Sequence, residues 1–396
     1  MHESRVGVGV IGVGGISGAV HLPGLQLSPY AELVALCDVN PELLQRRAEE
    51  YHVAQTFTTY EALIQHPAVD AVVIATPTFL HAPIALAAIA AGKHVLVEKQ
   101  LGMNYAETAQ MYEAAKQAGV FHMTAFTYRF VPAMRYLKHL VAQGTIGIPR
   151  YVRVARLQDF PEKDLGWRQH RSLAGSGEVG DMGAHRIDFC HNVIGPIARV
   201  ISTTRIFAPQ RTGRDGNAVV ADVEDFAVIL AEFADGVGVE QGAVATFDLS
   251  KVAKGRESGG KGLDEFEVHG TEATIIYHLH RPHEILLGRS NGVLETVQVP
   301  REFLTYPGTP RDPLAGDPLT TFRYDQDHAF VQTIVQGQSD IPTFYAGMRC
   351  QAVVDAVLQS AQERRWVEVA DVPEVATGGA NNKTEGIRSG SANLSN

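Results

Sequence analysis

Lys99, Asp181 and His185 are the residues in this sequence whose types and settings suit chemistry at a hydroxyl-bearing carbon. Lys99 follows the apolar run His94–Val97, in the string Glu98-Lys99-Gln100. A lysine at the carboxyl end of a buried parallel strand can polarise a carbonyl or stabilise an alkoxide. In Gly180-Asp181-Met182-Gly183-Ala184-His185-Arg186-Ile187-Asp188, the residues Asp181, His185 and Asp188 recur at i, i+4 and i+7. That spacing places them on one face of a helix. A carboxylate and an imidazole one turn apart can hold a polyol and take its proton, because histidine titrates near neutral pH. A helix-capping aspartate and a packed core histidine would share the same spacing. Zinc is the other chemistry open to Asp181 and His185, or to His278, His280 and His283. No further histidine or cysteine completes either set at ligand spacing, so no metal is expected.

A second constellation lies at the N-terminus. Gly12-Val13-Gly14-Gly15-Ile16-Ser17 stands where an apolar run, Arg5 to Ile11, gives way to a helix. The first glycine there makes a tight turn, and the second lets the backbone approach a pyrophosphate. The helix start supplies N–H donors and positive dipole. The string Gly7-x-Gly9-x-x-Gly12 also matches the glycine pattern but lies inside the strand and carries no such meaning. Asp38, 21 residues after Ser17 and at the end of the second apolar run, is placed to bond the ribose hydroxyls of NAD. Val39 and Asn40 follow it, with no arginine to meet a 2′-phosphate, so NAD is expected over NADP. Thr76, Pro77 and His81 follow the run Asp70 to Ala75, and Glu98 and Lys99 follow the next. At strand carboxyl ends all five face the same crevice as candidate cofactor neighbours.

The elements that must position these residues change character midway. Short continuous apolar runs at Arg5–Ile11, Leu33–Cys37, Asp70–Ala75, His94–Val97 and Val120–Thr127 alternate with helical stretches at Pro41–Tyr51, Ala82–Ala91 and Asn104–Ala118. This predicts a doubly wound parallel sheet, an N-terminal Rossmann domain over residues 1–127. Beyond about Gly144 the strands lengthen and alternate, at Val200–Ile206, Phe226–Phe233, Val237–Thr246, Phe266–His269 and Ala273–His278. They predict a C-terminal α/β domain, residues 128–370, with a large, mostly antiparallel open sheet. One helix is expected near Gly180–Ile194 and two late ones at Gln326–Gln336 and Ala346–Arg365, the last able to pack back on the first domain. The tail, Thr377–Asn396, has almost no large apolar residue and is expected to be disordered.

Composition narrows the setting. The net charge of −10 argues against a nucleic-acid or anionic-membrane surface, either of which needs a basic patch. No apolar run approaches the roughly 20 residues that span a bilayer. The start leads straight into a strand-like segment without a secretory signal. The three cysteines, Cys37, Cys190 and Cys350, lie far apart and suit a reducing compartment, so a cytoplasmic location is expected.

The segments GVIGVGGIS, CDVN, ATPTFLHAPIA, AGKHVLVEKQL, FTYRFVP and GDMGAHRID follow one another in the order of the glucose–fructose oxidoreductase, inositol dehydrogenase and rhizopine-catabolism (Gfo/Idh/MocA) family. The sequence resembles that family up to about Val369. The resemblance implies a Rossmann domain, an α/β domain whose open sheet forms a dimer or tetramer interface, and a catalytic lysine with an Asp-xxx-His pair. These fall on Lys99, Asp181 and His185. Leu157-Gln158-Asp159, Trp167-Arg168 and Ala174-Gly175-Ser176-Gly177 look most like the levoglucosan dehydrogenase and glucoside 3-dehydrogenase branch. One position departs: the proline after the family's lysine is Gln100. Proline would restrict the backbone beside Lys99, so either other contacts hold that backbone or the lysine sits differently.

Taken together, the expected activity is reversible oxidation of a secondary alcohol to a ketone, on a sugar, anhydrosugar, glycoside or inositol. His185 takes the hydroxyl proton, Lys99 stabilises the developing charge and Asp181 anchors a neighbouring hydroxyl. Tyr128, Arg129, Gln158, Trp167 and Arg168 are expected to form the sugar-facing wall. Two other readings share the motifs: an NAD-assisted hydrolase or lyase that cleaves a glycosidic bond, and a non-catalytic sugar sensor.

Overall fold

The computed structural model describes residues 5–370, apart from 161–163, 214–215, 237, 257–261, 291 and 338–339. The tail expected to be disordered lies outside the described residues. The first domain runs β1 (Val6–Ile11), α1 (Leu22–Leu27), β2 (Ala31–Cys37), α2 (Pro41–Tyr51), β3 (Gln55–Phe57), α3 (Tyr60–Ile64), β4 (Ala71–Ile74), α4 (His81–Ala90), β5 (His94–Val97), α5 (Tyr105–Ala118) and β6 (His122–Thr124). Its strands pair in parallel in the order β3-β2-β1-β4-β5-β6. β1 and β4 are buried at every residue, as strands covered by helices on both faces must be. The winding direction reverses between β1 and β4, so their carboxyl ends open the crevice where such sheets take ligands.

The second domain adds α6 (Pro132–Ala142), β7 (Pro149–Leu157), α7 (Arg171–Ala174), α8 (Ala184–Val193), β8 (Ile197–Arg205), a small hairpin of β9 (Gln210–Thr212) and β10 (Ala218–Val220), then β11 (Phe226–Phe233), β12 (Val244–Ser250), β13 (Leu263–Gly270), β14 (Thr274–His278), β15 (Glu284–Gly288) and β16 (Leu294–Gln298). Helices α9 (Tyr324–Gln336) and α10 (Phe344–Glu363) precede a last short strand, β17 (Val367–Glu368). The sheet is nine-stranded, ordered β16-β15-β14-β13-β7-β12-β11-β8-β17, and only the central β7–β12 pair is parallel. Burial alternates along β11 and β13, so one face packs on the core and the other does not. Helix α10 packs against β8 and also against α5 and β6 of the first domain, while α9 packs against α1.

Three elements differ from their sequence reading. The strand expected at Val237–Thr246 is β12, Val244–Ser250, because Gly238 and Gly242 adopt positive φ and form the turn before it. The strand expected at Val120–Thr127 ends at Thr124, and Thr127–Phe130 is a 3-10 turn. The helix expected near Gly180–Ile194 is divided: Val179–Gly183 is a π turn, and regular α-helix starts only at Ala184.

Candidate active site

A cleft of about 600 Å³ opens at the carboxyl ends of β1, β2, β4 and β5. Gly12, Gly14, Gly15, Ile16, Asp38, Thr76, Pro77, Glu98 and Lys99 line it, so nine of the predicted cofactor and chemical residues converge there. Gly12 has φ +87°, and a Cβ on it would stand 2.8 Å from the Ala75 carbonyl, so the turn requires glycine. A Cβ built on Gly14 or Gly15 meets nothing within 4 Å and would instead project into open space. That space is the cradle a pyrophosphate fits. Asp38 accepts from Val13 N at 2.9 Å and from Asn40 N at 2.9 Å, which ties the glycine turn to the end of β2. Carboxylate oxygens have lone pairs to spare for ribose hydroxyls. Glu61 also lines this end, whereas the lining cations, Lys99 and Arg168, are contributed by other segments.

Two predicted cofactor residues do not line the cleft. Ser17 is fully buried and its hydroxyl donates to the Gly12 carbonyl, closing the turn from inside. His81 is buried behind the strand ends, with Nδ1 at 2.7 Å from the Gln100 carbonyl and Nε2 at 2.9 Å from the Thr76 carbonyl. Burial outweighs both carbonyls and lowers its pKa, so the neutral ring donates to one of them. His81 thus fixes the two loops that carry Thr76 and Lys99.

The Lys99–Gln100 peptide is cis. The Gln100 side chain is buried, donating to the Ala174 carbonyl at 3.2 Å and accepting from Ser176 Oγ at 3.2 Å. A Cβ at position 180 would strike that amide at 2.1 Å, so Gly180 permits its approach. Hydrogen bonds from the second domain therefore hold the backbone that a proline ring would otherwise restrict.

Beyond the cleft, Lys99 meets Asp181. Its Nζ donates to the Asp181 carbonyl and, at 2.9 Å, to Oδ1 of the carboxylate. Lys251, buried just past the end of β12, reaches Asp181 Oδ2 at 2.9 Å and Glu178 Oε2 at 3.3 Å. Arg168 approaches Asp181 at 3.8 Å and lies over the Trp167 ring, 4.3 Å from its centroid. Burial opposes ionisation of Asp181, but Lys251, then Lys99 and Arg168, override it and hold the carboxyl well below the usual range. Glu178 is the converse: burial pushes its carboxyl up to about 7, against the pull of Lys251. Sequence reading missed Lys251 and Glu178.

His185 is buried, and its ring packs edge-on against Tyr128 with centroids 4.5 Å apart. Burial, then Lys99, Arg186 and Arg323, hold its pKa well below the ordinary value, with Asp181 opposing. The imidazole is therefore neutral at physiological pH, and Nδ1 has no hydrogen-bond partner. Gln158 directly follows β7 with its N–H on the Ser250 carbonyl, beside the strand end that precedes Lys251. Tyr128 thus stands against His185, and Trp167 and Arg168 line the cleft with Lys99, Arg168 reaching Asp181. Arg129 turns away and clasps Asp188, Nε to Oδ2 at 2.8 Å and Nη2 to Oδ1 at 2.5 Å. The π turn breaks the expected common face, and Asp188 leaves the constellation with its arginine.

A further buried network backs the cleft. His21, in the π turn after the glycines, has Nδ1 at 2.7 Å from Asp327 of α9 and Nε2 at 3.2 Å from Glu98. Burial disfavours the charged ring, but Asp327 and Glu98 raise its pKa to about 10. The other oxygen of Glu98 accepts from Lys99 N at 3.1 Å. Among the described residues no group of three or more His, Cys, Asp or Glu side chains could hold a metal.

Comparison with known proteins matches this architecture in both halves. A model described as an oxidoreductase family with an NAD-binding Rossmann fold matches residues 6–126, and the GFO/IDH/MocA C-terminal domain matches residues 134–276. The chain belongs to the GFO/IDH/MocA oxidoreductase family. Its first domain is accordingly an NAD-binding Rossmann domain, and the glycine cradle with Asp38 fits that cofactor. Among relatives, a levoglucosan dehydrogenase of Pseudarthrobacter phenanthrenivorans is 30% identical, aligning over 94% of this chain and 99% of its own. A myo-inositol 2-dehydrogenase of Thermotoga maritima is 29% identical over 72% of this chain and 79% of its own. A solved levoglucosan dehydrogenase in complex with NADH and levoglucosan superposes with a TM-score of 0.83 at 29% identity, covering 93% of this chain and all of that one. No helix among the described residues is long and apolar enough to cross a membrane.

Proposed function

We propose that this GFO/IDH/MocA member oxidises a secondary alcohol of a sugar, anhydrosugar, glycoside or inositol to the ketone. One observation carries the reading: Lys99 of the first domain and Asp181 of the second are bonded at the inner end of the dinucleotide cleft, beside a buried neutral imidazole. NAD, when bound, supplies the hydride acceptor.

The chain's own residues do the rest. Gly14 and Gly15 leave room for the pyrophosphate, and Asp38 takes the ribose hydroxyls. Lys99 donates to the substrate oxygen as negative charge develops on it, a charge-assisted stabilisation of the kind that lowers such barriers by several kcal/mol. His185 accepts the hydroxyl proton at a ring nitrogen, for which a neutral ring is the competent form. Asp181, held anionic by three cations, is too weak a base for that step and holds a neighbouring hydroxyl together with Lys99. Tyr128 fixes the His185 ring, and Gln158, Trp167 and Arg168 wall the substrate space. The names of the levoglucosan and myo-inositol relatives support a cyclic polyol as substrate.

The outer face of the large sheet supports assembly as a homodimer or homotetramer. It carries Ile201, Val228, Leu230 and Ile276 among the paired charges of Arg153, Glu265 and Glu267. Sedimentation at micromolar concentration should give a dimer or larger, and a monomer would refute the assembly. Three buried, unpaired cysteines support a reducing, cytoplasmic setting.

The activity is tested with a panel of sugars, anhydrosugars, glycosides and inositols, with NAD as oxidant and NADH absorbance as readout. Net NADH formation from an uncleaved polyol supports a dehydrogenase. Cleavage of a glycoside without net NADH would make it a hydrolase or lyase instead, and binding without turnover a sensor.

A further inference from the structure

A second cavity, of about 310 Å³, lies along the same helix that carries His185 but shares no lining residue with the dinucleotide cleft. The end of α8 supplies His191 and Asn192, α6 supplies Lys138, and α10 supplies Tyr345 and Arg349; Arg129 completes the wall. Asp188 neutralises Arg129 from beneath and does not line the cavity. Lys138 donates to Asn192 Oδ1 at 2.9 Å, a neutral partner. Among the described residues neither Lys138 nor Arg349 makes an ion pair.

Two buried nitrogens there are also without partners. Arg349 Nη2 and His191 Nδ1 are buried without hydrogen-bond partners. Burial, then Arg349 and Arg129, keep His191 neutral, so its ring leaves two cations facing the space without adding a third. Asp340 lines the adjoining groove, where Arg135 adds a cation beside the carboxylate. Arg349 is partly buried and Lys138 exposed; leaving the partly buried guanidinium without an ion pair is costly, and an anion offering several acceptors offsets that cost. A guanidinium fork suits a phosphate, with lysine as a point charge beside it.

We propose that this cavity binds a phosphate dianion, either free or as the phosphate of a small monoester. Its volume is at the lower end of ligand pockets, room for a phosphate with a short organic body. The site is separate from the proposed catalytic centre and does not depend on the identity of the sugar.

The test uses the full chain saturated with NADH, so that the glycine cradle cannot take the probe. Inorganic phosphate and n-butyl phosphate are each titrated at constant ionic strength, with sodium chloride and sodium acetate as controls, and thermal unfolding is followed. The site predicts a saturable rise in Tm with phosphate or its ester and none with the controls. Arg349→Met and Lys138→Glu should each weaken the apparent affinity about tenfold or more while leaving NADH affinity unchanged. Lys138 is exposed on α6, so its variant should fold even if the Arg349 variant does not. Tighter binding of the ester would identify a monoester site, and equal or tighter binding of inorganic phosphate a free-anion site. No saturable shift, or the same shift in the folded Lys138→Glu protein, would overturn the proposal.

Discussion

Lys99 Nζ lies 2.9 Å from Asp181 Oδ1, joining the end of a Rossmann strand to the turn that opens α8. The bond sets both reach and charge. It joins the ammonium of one domain to the carboxylate of the other, and with Lys251 and Arg168 it keeps Asp181 ionised. A substrate hydroxyl arriving there meets a fixed pair of donor and acceptor.

Lys251 should therefore act through Asp181. Lys251→Met removes the largest cationic influence on that carboxylate, so the Asp181 pKa rises. The acid limb of kcat/KM against pH should move to higher pH, and kcat/KM at neutral pH should fall by about tenfold or more, the scale of 1.4 kcal/mol. Lys251→Arg should restore part of both. A pH profile superimposable on the parent's would show that Lys251 only fills space.

Cofactor preference should follow the carboxylates at the end of β2. Asp38 and Glu61 line the cleft there, and an anionic site repels a 2′-phosphate. NAD should exceed NADP in kcat/KM, and Asp38→Ala should narrow the ratio by about tenfold or more. Because Asp38 also bonds Val13 N, NAD affinity should fall as well. Equal efficiency of the two cofactors in the parent would refute the assignment.

Much of this site was legible because its parts sit at strand ends and in short strings. The glycine turn, Asp38, Lys99, Asp181 and His185 each followed from a local pattern, and parallel order followed from the continuous apolar runs. The residues that complete the site were not legible for the opposite reason. Lys251 stands 70 positions from Asp181, with no local pattern to link them, and the packing of the end of β12 against the Val179–Gly183 turn brings it in. His21 offered one signal, a histidine within an apolar stretch, but its partner Asp327 comes from α9 over 300 residues later. Asp188 stands apart from the site because the helical period that links it to Asp181 in the sequence runs through a π turn at Val179–Gly183.

The His21 network predicts a stability that fades at alkaline pH. Its pKa rises from 6.5 unfolded to about 10 folded, so the folded protein binds the extra proton between those values. Stability from this group is fully present below about pH 6.5 and is lost as pH rises toward 10. His21→Gln should lower Tm at pH 7, and the difference from the parent should shrink steadily as pH is raised. A difference independent of pH would mean that the ring is neutral in the folded state.

In the proposed mechanism His185 takes the proton in the chemical step and does not build the NAD site. The direct measurement is turnover of His185→Ala with the best polyol of the panel, alongside NADH titration of the same protein. In that variant kcat should fall by about 10²–10⁴-fold, the usual contribution of general acid–base catalysis, while NADH affinity stays within a few-fold of the parent. Turnover within a few-fold of the parent, or loss of NADH binding, would contradict it.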